Sequence, residues 1–79
     1  MSRILIVEDE DAIRRVLVKI LKQENEAYHI EEATDGVAAL EKIENLELDL
    51  VLCDIKMPKM DGVEVLNKVK KIKPELPIV

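Results

Sequence analysis

Short apolar runs alternate with segments of helical spacing along the whole chain, and this alternation constrains the fold more than any other feature. The apolar runs cover Arg3–Val7, 28–33, 48–53 and 77–79. The first run is too short for a helix and too uniformly apolar for a half-exposed strand. We therefore predict a strand buried on both faces, as in parallel sheets. The second run alternates only weakly, which predicts a strand nearer the sheet edge.

Three segments between these runs carry apolar residues at the spacing of a helix face. The face residues are Ile13, Val16, Leu17, Ile20 and Leu21 in the first helix, Val37, Leu40, Ile43 and Leu46 in the second, and Val63, Leu66, Val69 and Ile72 in the third. We expect Asp9 or Asp11 to cap the first helix. The order β-α-β-α-β-α-β predicts a parallel α/β sheet with right-handed crossovers. Because the last run is an apolar edge strand with no cap or polar tail, we expect it to continue into a longer domain.

Composition narrows the function classes. The net charge is −5 and Tyr28 is the single aromatic residue, which argues against direct contact with nucleic acid. The single cysteine, Cys53, cannot form an internal disulfide or a cysteine-rich zinc site. No apolar run approaches the roughly 20 residues of a membrane span. The N-terminus lacks a signal peptide pattern, so we expect a cytoplasmic protein without a membrane partner.

Carboxylates follow two of the predicted buried strands. Glu8 and Asp9 come directly after the first strand, and Asp54 comes directly after the third. Ligands of open parallel sheets bind at the carboxyl ends of the strands, beside the point where the strand order reverses. If the two strands are neighbours, these carboxylates converge and repel unless a cation intervenes. Mg²⁺ suits a few carboxylates plus waters, and an aspartate beside it can attack a phosphoryl group to give an acyl phosphate.

A simpler interpretation remains for each acidic segment alone. Residues 8–11 would serve equally well as an acidic helix start, and Asp54 as a turn or helix cap. The occurrence of both segments at matching ends of two buried strands favours a functional site.

Several motifs carry a family resemblance. They are Ile4-Leu-Ile-Val-Glu8-Asp9, Asp35-Gly36 with Ala39-Leu40, and Asp49-Leu-Val-Leu-Cys-Asp54-Ile-Lys-Met57-Pro58-Lys-Met-Asp61-Gly62. Together they closely resemble the receiver domain of two-component response regulators, and the resemblance runs through the whole chain. It implies a flavodoxin-like doubly wound parallel sheet with strand order 2-1-3-4-5. Residues 1–79 would then form the N-terminal two-thirds of one such domain, without its last strand and helix units.

The resemblance also implies the roles of individual residues. Asp54 would accept the phosphoryl group from a sensor histidine kinase or from a small donor such as acetyl phosphate. Asp9 would bind Mg²⁺ directly and Glu8 through water, with Asp54 and the backbone carbonyl of Lys56 completing the protein ligands. Any catalysis would be limited to autocatalytic phosphoryl transfer and acyl-phosphate hydrolysis. The output module in a longer chain would be transcriptional. The sequence of residues 54–58 is similar to that of regulators of the nitrogen-regulatory class, which act with an alternative sigma factor.

The family's switch hydroxyl, lysine and switch aromatic would all lie beyond Val79. A chain of 79 residues would therefore keep a Mg²⁺ pocket and lack the switch. The alternative function is accordingly a self-associating structural half-fold, either a homodimer or a domain swap. A metal-dependent phosphatase of similar fold is disfavoured, because Lys56 stands where its Asp-x-Asp motif needs a second aspartate.

Overall fold

The computed structural model describes residues 2–53 and 62–78. Its elements are β1 (Arg3–Val7), α1 (Asp11–Glu24), β2 (His29–Ala33), α2 (Gly36–Asn45), β3 (Leu50–Cys53) and α3 (Gly62–Ile72). The alternation and the type of every one of these elements agree with the sequence prediction. None of the helices in the described ranges is long and apolar enough to cross a membrane.

The three strands form one parallel sheet in the order β2-β1-β3. The central position of β1 explains its continuous apolar sequence, since it is covered on both faces. The predicted edge position of β2 is confirmed. Past α3, Ile78 forms an isolated parallel bridge with Val51, and the Val51 N–H donates to the Pro77 carbonyl at 3.0 Å. This bridge lies on the outer side of β3, where the predicted strand order 2-1-3-4 needs the fourth strand.

The two sides of the sheet are covered differently. Because β2 and β3 flank β1 on opposite sides, right-handed crossovers send α1 to one face and α2 to the other. The face covered by α2 and α3 carries the main core. Its fully buried members come from all three strands and both helices: Leu5, Val7, Ala33, Ala39, Ile43, Val51 and Val69.

The apolar stripe of α1 is largely uncovered in the described part of the chain. No residue of α1 is buried, and Ile13, Val16 and Ile20 are 44%, 55% and 50% exposed. The predicted helix is therefore confirmed, but its stripe packs only partly on β1. Burying such a stripe normally provides most of a helix's stability. This stripe is accordingly an exposed apolar surface within the described part of the chain.

The buried face of α2 agrees with the prediction at Ile43 and differs from it at Val37. Val37 was expected on the core face and is 56% exposed, whereas Gly36, Ala39 and Ile43 are buried. Small side chains let the helix backbone approach the sheet closely, so the helix turns its glycine and alanine inward. The neighbouring residues Ala38 and Ala39 are the sequence signal for this close approach.

The start of α1 also differs from the prediction. The N-cap position is Glu10, which makes no side-chain capping bond, so the expected cap at Asp9 or Asp11 is wrong. Asp11 is the first helical residue and its carboxylate pairs with Arg14 instead. In α2, by contrast, the N-cap Asp35 accepts a hydrogen bond from the Ala38 N–H at 2.8 Å.

Replacing this N-cap should measurably weaken the fold. Asp35→Ala leaves a helix N–H without its acceptor, and we expect the free energy of unfolding to fall by about 1 kcal/mol. Asp35→Asn, whose side-chain oxygen can still accept, should lose much less. Urea unfolding followed by circular dichroism measures both. Equal losses in the two variants would contradict the capping role.

Candidate functional site

The carboxyl ends of β1 and β3 lie level with each other. Val7, the last residue of β1, pairs with Ala33 of β2 on one side and with Cys53 of β3 on the other. The chain leaves β1 toward β2 and leaves β2 toward β3, so the strand order reverses between β1 and β3. Such a reversal opens the crevice in which parallel sheets bind ligands. The predicted pairing of these two strands is confirmed.

Two of the four predicted site residues lie within the described part of the chain. Glu8 follows β1 and is 6% exposed, and Asp9 lies in the exposed bend that follows. Asp54 and Lys56 lie outside the described residues. Among residues 2–53 and 62–78, no three side chains of the metal-ligating types come together to hold an ion. Glu8 and Asp9 therefore contribute only part of the predicted donor set.

Glu8 is held in place by its own backbone and by the turn that follows. Its N–H donates to the Ala33 carbonyl at 3.0 Å, which continues the pairing of β1 with β2 by one residue. Its Oε2 accepts a hydrogen bond from the Glu10 N–H at 3.1 Å. A carboxylate with so little exposure needs such partners, because unpaired buried charge is costly. The turn thus keeps a negative charge at the end of the central strand.

Arg14 is a residue that the sequence analysis missed. Its side chain is 12% exposed, its Nη1 donates to the Glu8 carbonyl at 3.0 Å, and its Nε donates to Glu32 Oε1 at 3.0 Å. Its Nη2 pairs with Asp11, one helical turn away. This hydrogen bond and the arginine's charge hold the pKa of Asp11 below its usual range, and the same bond raises the pKa of Arg14. The spacing of Asp11 and Arg14 is the only sequence signal for the cluster.

A second ionic cluster joins the edge strand to α2. Glu31 lies 2.6 Å from His29 Nε2 and 3.2 Å from Lys42 Nζ. The hydrogen bond from His29, followed by the one from Lys42, holds the pKa of Glu31 below its ordinary value. His29 is the first residue of β2, at the opposite end of the strands from Glu8. This cluster links β2 to α2. It takes no part in the acidic turn, which is formed by Glu8, Asp9 and Glu10.

Cys53 lies on the core side of β3. It is half-buried and packs against the cluster that contains Val51. In this position Cys53 packs as a small apolar residue.

Comparison with known proteins identifies the family. A model of the response regulator receiver domain matches residues 4–79. This chain belongs to the response-regulator receiver domain family. The response regulator receiver protein CpdR of Brucella abortus is 40% identical over 79 residues, which are 100% of this chain and 64% of CpdR. The transcriptional regulatory protein ZraR of Klebsiella oxytoca is 38% identical over 76 residues, which are 96% of this chain and 17% of ZraR.

Solved receiver domains have the same fold. The response regulator TrrA of Thermotoga maritima, in complex with Mg²⁺ and beryllium fluoride, is 41% identical with a TM-score of 0.93 over 99% of this chain. TrrA in complex with the histidine kinase ThkA gives a TM-score of 0.90. The receiver chain spans 66% of TrrA and 64% of CpdR. The predicted family and flavodoxin-like architecture are confirmed for the part that the chain covers.

Proposed function

We propose that this receiver domain accepts a phosphoryl group on Asp54 from a sensor histidine kinase in a Mg²⁺-dependent reaction. The main support is the register of β1 and β3, because Val7 pairs with Cys53 and acidic residues follow both in the sequence. TrrA is known in complex with Mg²⁺ and beryllium fluoride and with a histidine kinase, which supports the same partners here.

The donor set of the acidic turn fits Mg²⁺. Glu8 and Asp9 offer only carboxylate oxygens, the ligands that Mg²⁺ prefers, and no nitrogen or sulfur ligand joins them among the described residues. In the proposal Asp9 binds the ion directly and Glu8 binds it through water. The Asp54 carboxylate and the Lys56 carbonyl complete the set. When bound, Mg²⁺ neutralises charge on the transferring phosphoryl oxygens.

The chemistry of the transfer belongs to Asp54. One carboxylate oxygen forms a bond to phosphorus, the bond from phosphorus to the donor nitrogen or oxygen breaks, and the donor keeps the electron pair. Water later attacks the phosphorus of the acyl phosphate and regenerates the carboxylate. The domain thus promotes only its own phosphorylation and dephosphorylation.

The output follows from the family by analogy. We propose a transcriptional output module in a longer cytoplasmic chain, for which the match to ZraR and the sequence of residues 54–58 are the support. The net charge of −5 leaves nucleic-acid contact to that module rather than to the receiver segment.

Phosphorylation by a small donor tests the proposal directly. The chain is incubated with Mg²⁺ and acetyl phosphate, and intact mass spectrometry is expected to detect one added phosphate that disappears with a chelator. Asp9→Asn should slow the reaction by about a hundredfold or more, because it removes a ligand of the charge-neutralising ion. Glu10→Gln makes the same charge change one residue away on an exposed side chain and should leave the rate within about twofold.

Failure of this test would have a clear meaning. An adduct that forms equally well with a chelator present, or equal rates for Asp9→Asn and wild type, would contradict a Mg²⁺ site at the acidic turn.

A self-associating module is the second candidate function. The exposed stripe of Ile13, Val16 and Ile20 on α1 favours it, because an exposed apolar patch on one helix face is typical of a protein interaction site. Such a module needs no phosphate chemistry. A chain that self-associates and gives no adduct at saturating Mg²⁺ would favour this function over the receiver proposal.

A further inference from the structure

Arg14 is a charged side chain beside the acidic turn, and the proposed reaction assigns it no role. It holds three acceptors at once: the Glu8 carbonyl, the Glu32 carboxylate and the Asp11 carboxylate. These acceptors belong to three parts of the fold, namely the turn after β1, the edge strand β2 and α1 itself. Only the planar fork of a guanidinium can satisfy so many fixed acceptors, since a lysine ammonium lacks this preset geometry.

The carbonyl that Arg14 contacts belongs to the peptide bond between Glu8 and Asp9. Because a peptide unit is planar, fixing this oxygen also fixes the N–H of Asp9 and the direction in which the chain enters it. The preceding peptide is fixed as well, since the Glu8 N–H donates to the Ala33 carbonyl at 3.0 Å. The backbone of Glu8 is therefore held by β2 on one side and by Arg14 on the other.

We propose that Arg14 is a positioning residue that sets the Mg²⁺ affinity of the acidic turn by fixing the Glu8–Asp9 peptide plane. This inference rests on the proposed function, because it takes Glu8 and Asp9 as the residues that bind the ion. Mg²⁺ demands a nearly ideal octahedron, and functional groups must be held within about 0.5 Å of their working positions. Without Arg14 the peptide plane can rotate, so the Asp9 carboxylate is held less firmly for the ion.

The charge of Arg14 acts in the opposite direction, because a nearby cation repels Mg²⁺. Arg15 provides the matched control for this charge. It is the next residue of α1, it is exposed, and its side chain takes part in none of the hydrogen bonds found within residues 2–53 and 62–78. Alanine variants of the two arginines therefore remove the same charge, but only one of them removes the contact with Glu8.

The test titrates Mg²⁺ alone into the full chain, without a phosphoryl donor. The Kd is measured by calorimetry and by the NMR shifts of the backbone amides of residues 8–10. Arg14→Ala should raise the Kd about tenfold, the usual effect of losing a group that orients a metal ligand. Arg15→Ala should change the Kd by less than about twofold, because exposed charges are screened. Arg14→Lys keeps the charge but not the fork, so its Kd should lie between wild type and Arg14→Ala.

A further variant separates positioning from general stability. Glu32→Ala removes the contact of Arg14 with β2, while Asp11 still holds the guanidinium against the turn. We expect Glu32→Ala to lower the free energy of unfolding in urea and to leave the Mg²⁺ Kd within about twofold of wild type. A merely structural role for Arg14 predicts instead that affinity follows stability in every variant.

The outcomes distinguish this inference from the proposed function. Equal Kd values for wild type and Arg14→Ala, or a tenfold rise shared with Arg15→Ala or Glu32→Ala, overturn the positioning role and leave the Mg²⁺ site standing. A wild-type chain that binds no Mg²⁺ overturns both. If Arg14→Ala does not fold, Arg14→Lys decides: a rise in Kd of about threefold supports the role, and an unchanged Kd overturns it.

Discussion

Leu5→Ala is expected to lower the free energy of unfolding by about 2–5 kcal/mol, the usual cost of a large cavity in a packed core. Leu5 is fully buried in β1, the central strand, and packs in the cluster that joins the sheet to α2 and α3. A small domain typically has about 5–15 kcal/mol of stability in total. A chain of 79 residues buries a small core, so this substitution should leave a large unfolded fraction at room temperature.

Ile13→Ala is the matched control for Leu5→Ala. It removes the same number of carbon atoms from a side chain that is 44% exposed on α1. We expect a loss below about 1 kcal/mol, because less apolar surface returns to water and alanine favours the helix. Urea unfolding followed by circular dichroism measures both variants. Similar losses would mean that the face under α1 contributes as much as the α2–α3 face, in contradiction to the burial pattern.

The burial of β1 was predictable because a continuous apolar run between polar segments has few other places to go. The pairing of β1 with β3 was predicted differently, because the apolar runs left it open and only the family resemblance implied the strand order 2-1-3-4-5. The bounds of β1 agree with the prediction, whereas β3 begins at Leu50 rather than at residue 48. Strand ends depend on hydrogen bonds to neighbours, and these are poorly encoded in the local sequence.

Three features around the acidic turn were not predictable in the same way. The expected cap of α1 was wrong, because the N-cap position is Glu10, and Asp11, the first helical residue, pairs with Arg14. The contact of Arg14 with Glu32 joins residues that are 18 positions apart, so only the folded chain brings them together. Glu8 is buried although charged side chains are usually exposed, and this burial follows from its place directly after the central strand. Sequence patterns identify the carboxylates, but they do not identify the groups that hold them.

Asp54→Asn is expected to abolish the phosphate adduct completely. Asparagine has the size of aspartate, but its amide oxygen is too weak a nucleophile to attack phosphorus at a useful rate. The substitution also removes one negative charge from the proposed Mg²⁺ site and so weakens ion binding. The two effects separate when the assay is run at Mg²⁺ concentrations that saturate the variant, because a loss caused only by weaker binding would then be restored.

Asp49→Asn provides the control for the Asp54 variant. Asp49 precedes β3 at the amino ends of the strands, where its carboxylate accepts a hydrogen bond from the Arg3 N–H at 2.7 Å. An asparagine oxygen can accept the same bond, so this variant should fold and form the adduct at the wild-type rate. A one-phosphate adduct that persists in Asp54→Asn and is lost in another aspartate variant would assign the acceptor elsewhere. Complete loss in Asp54→Asn alone, at saturating Mg²⁺, would assign the acyl phosphate to Asp54, the residue that follows β3 in the sequence.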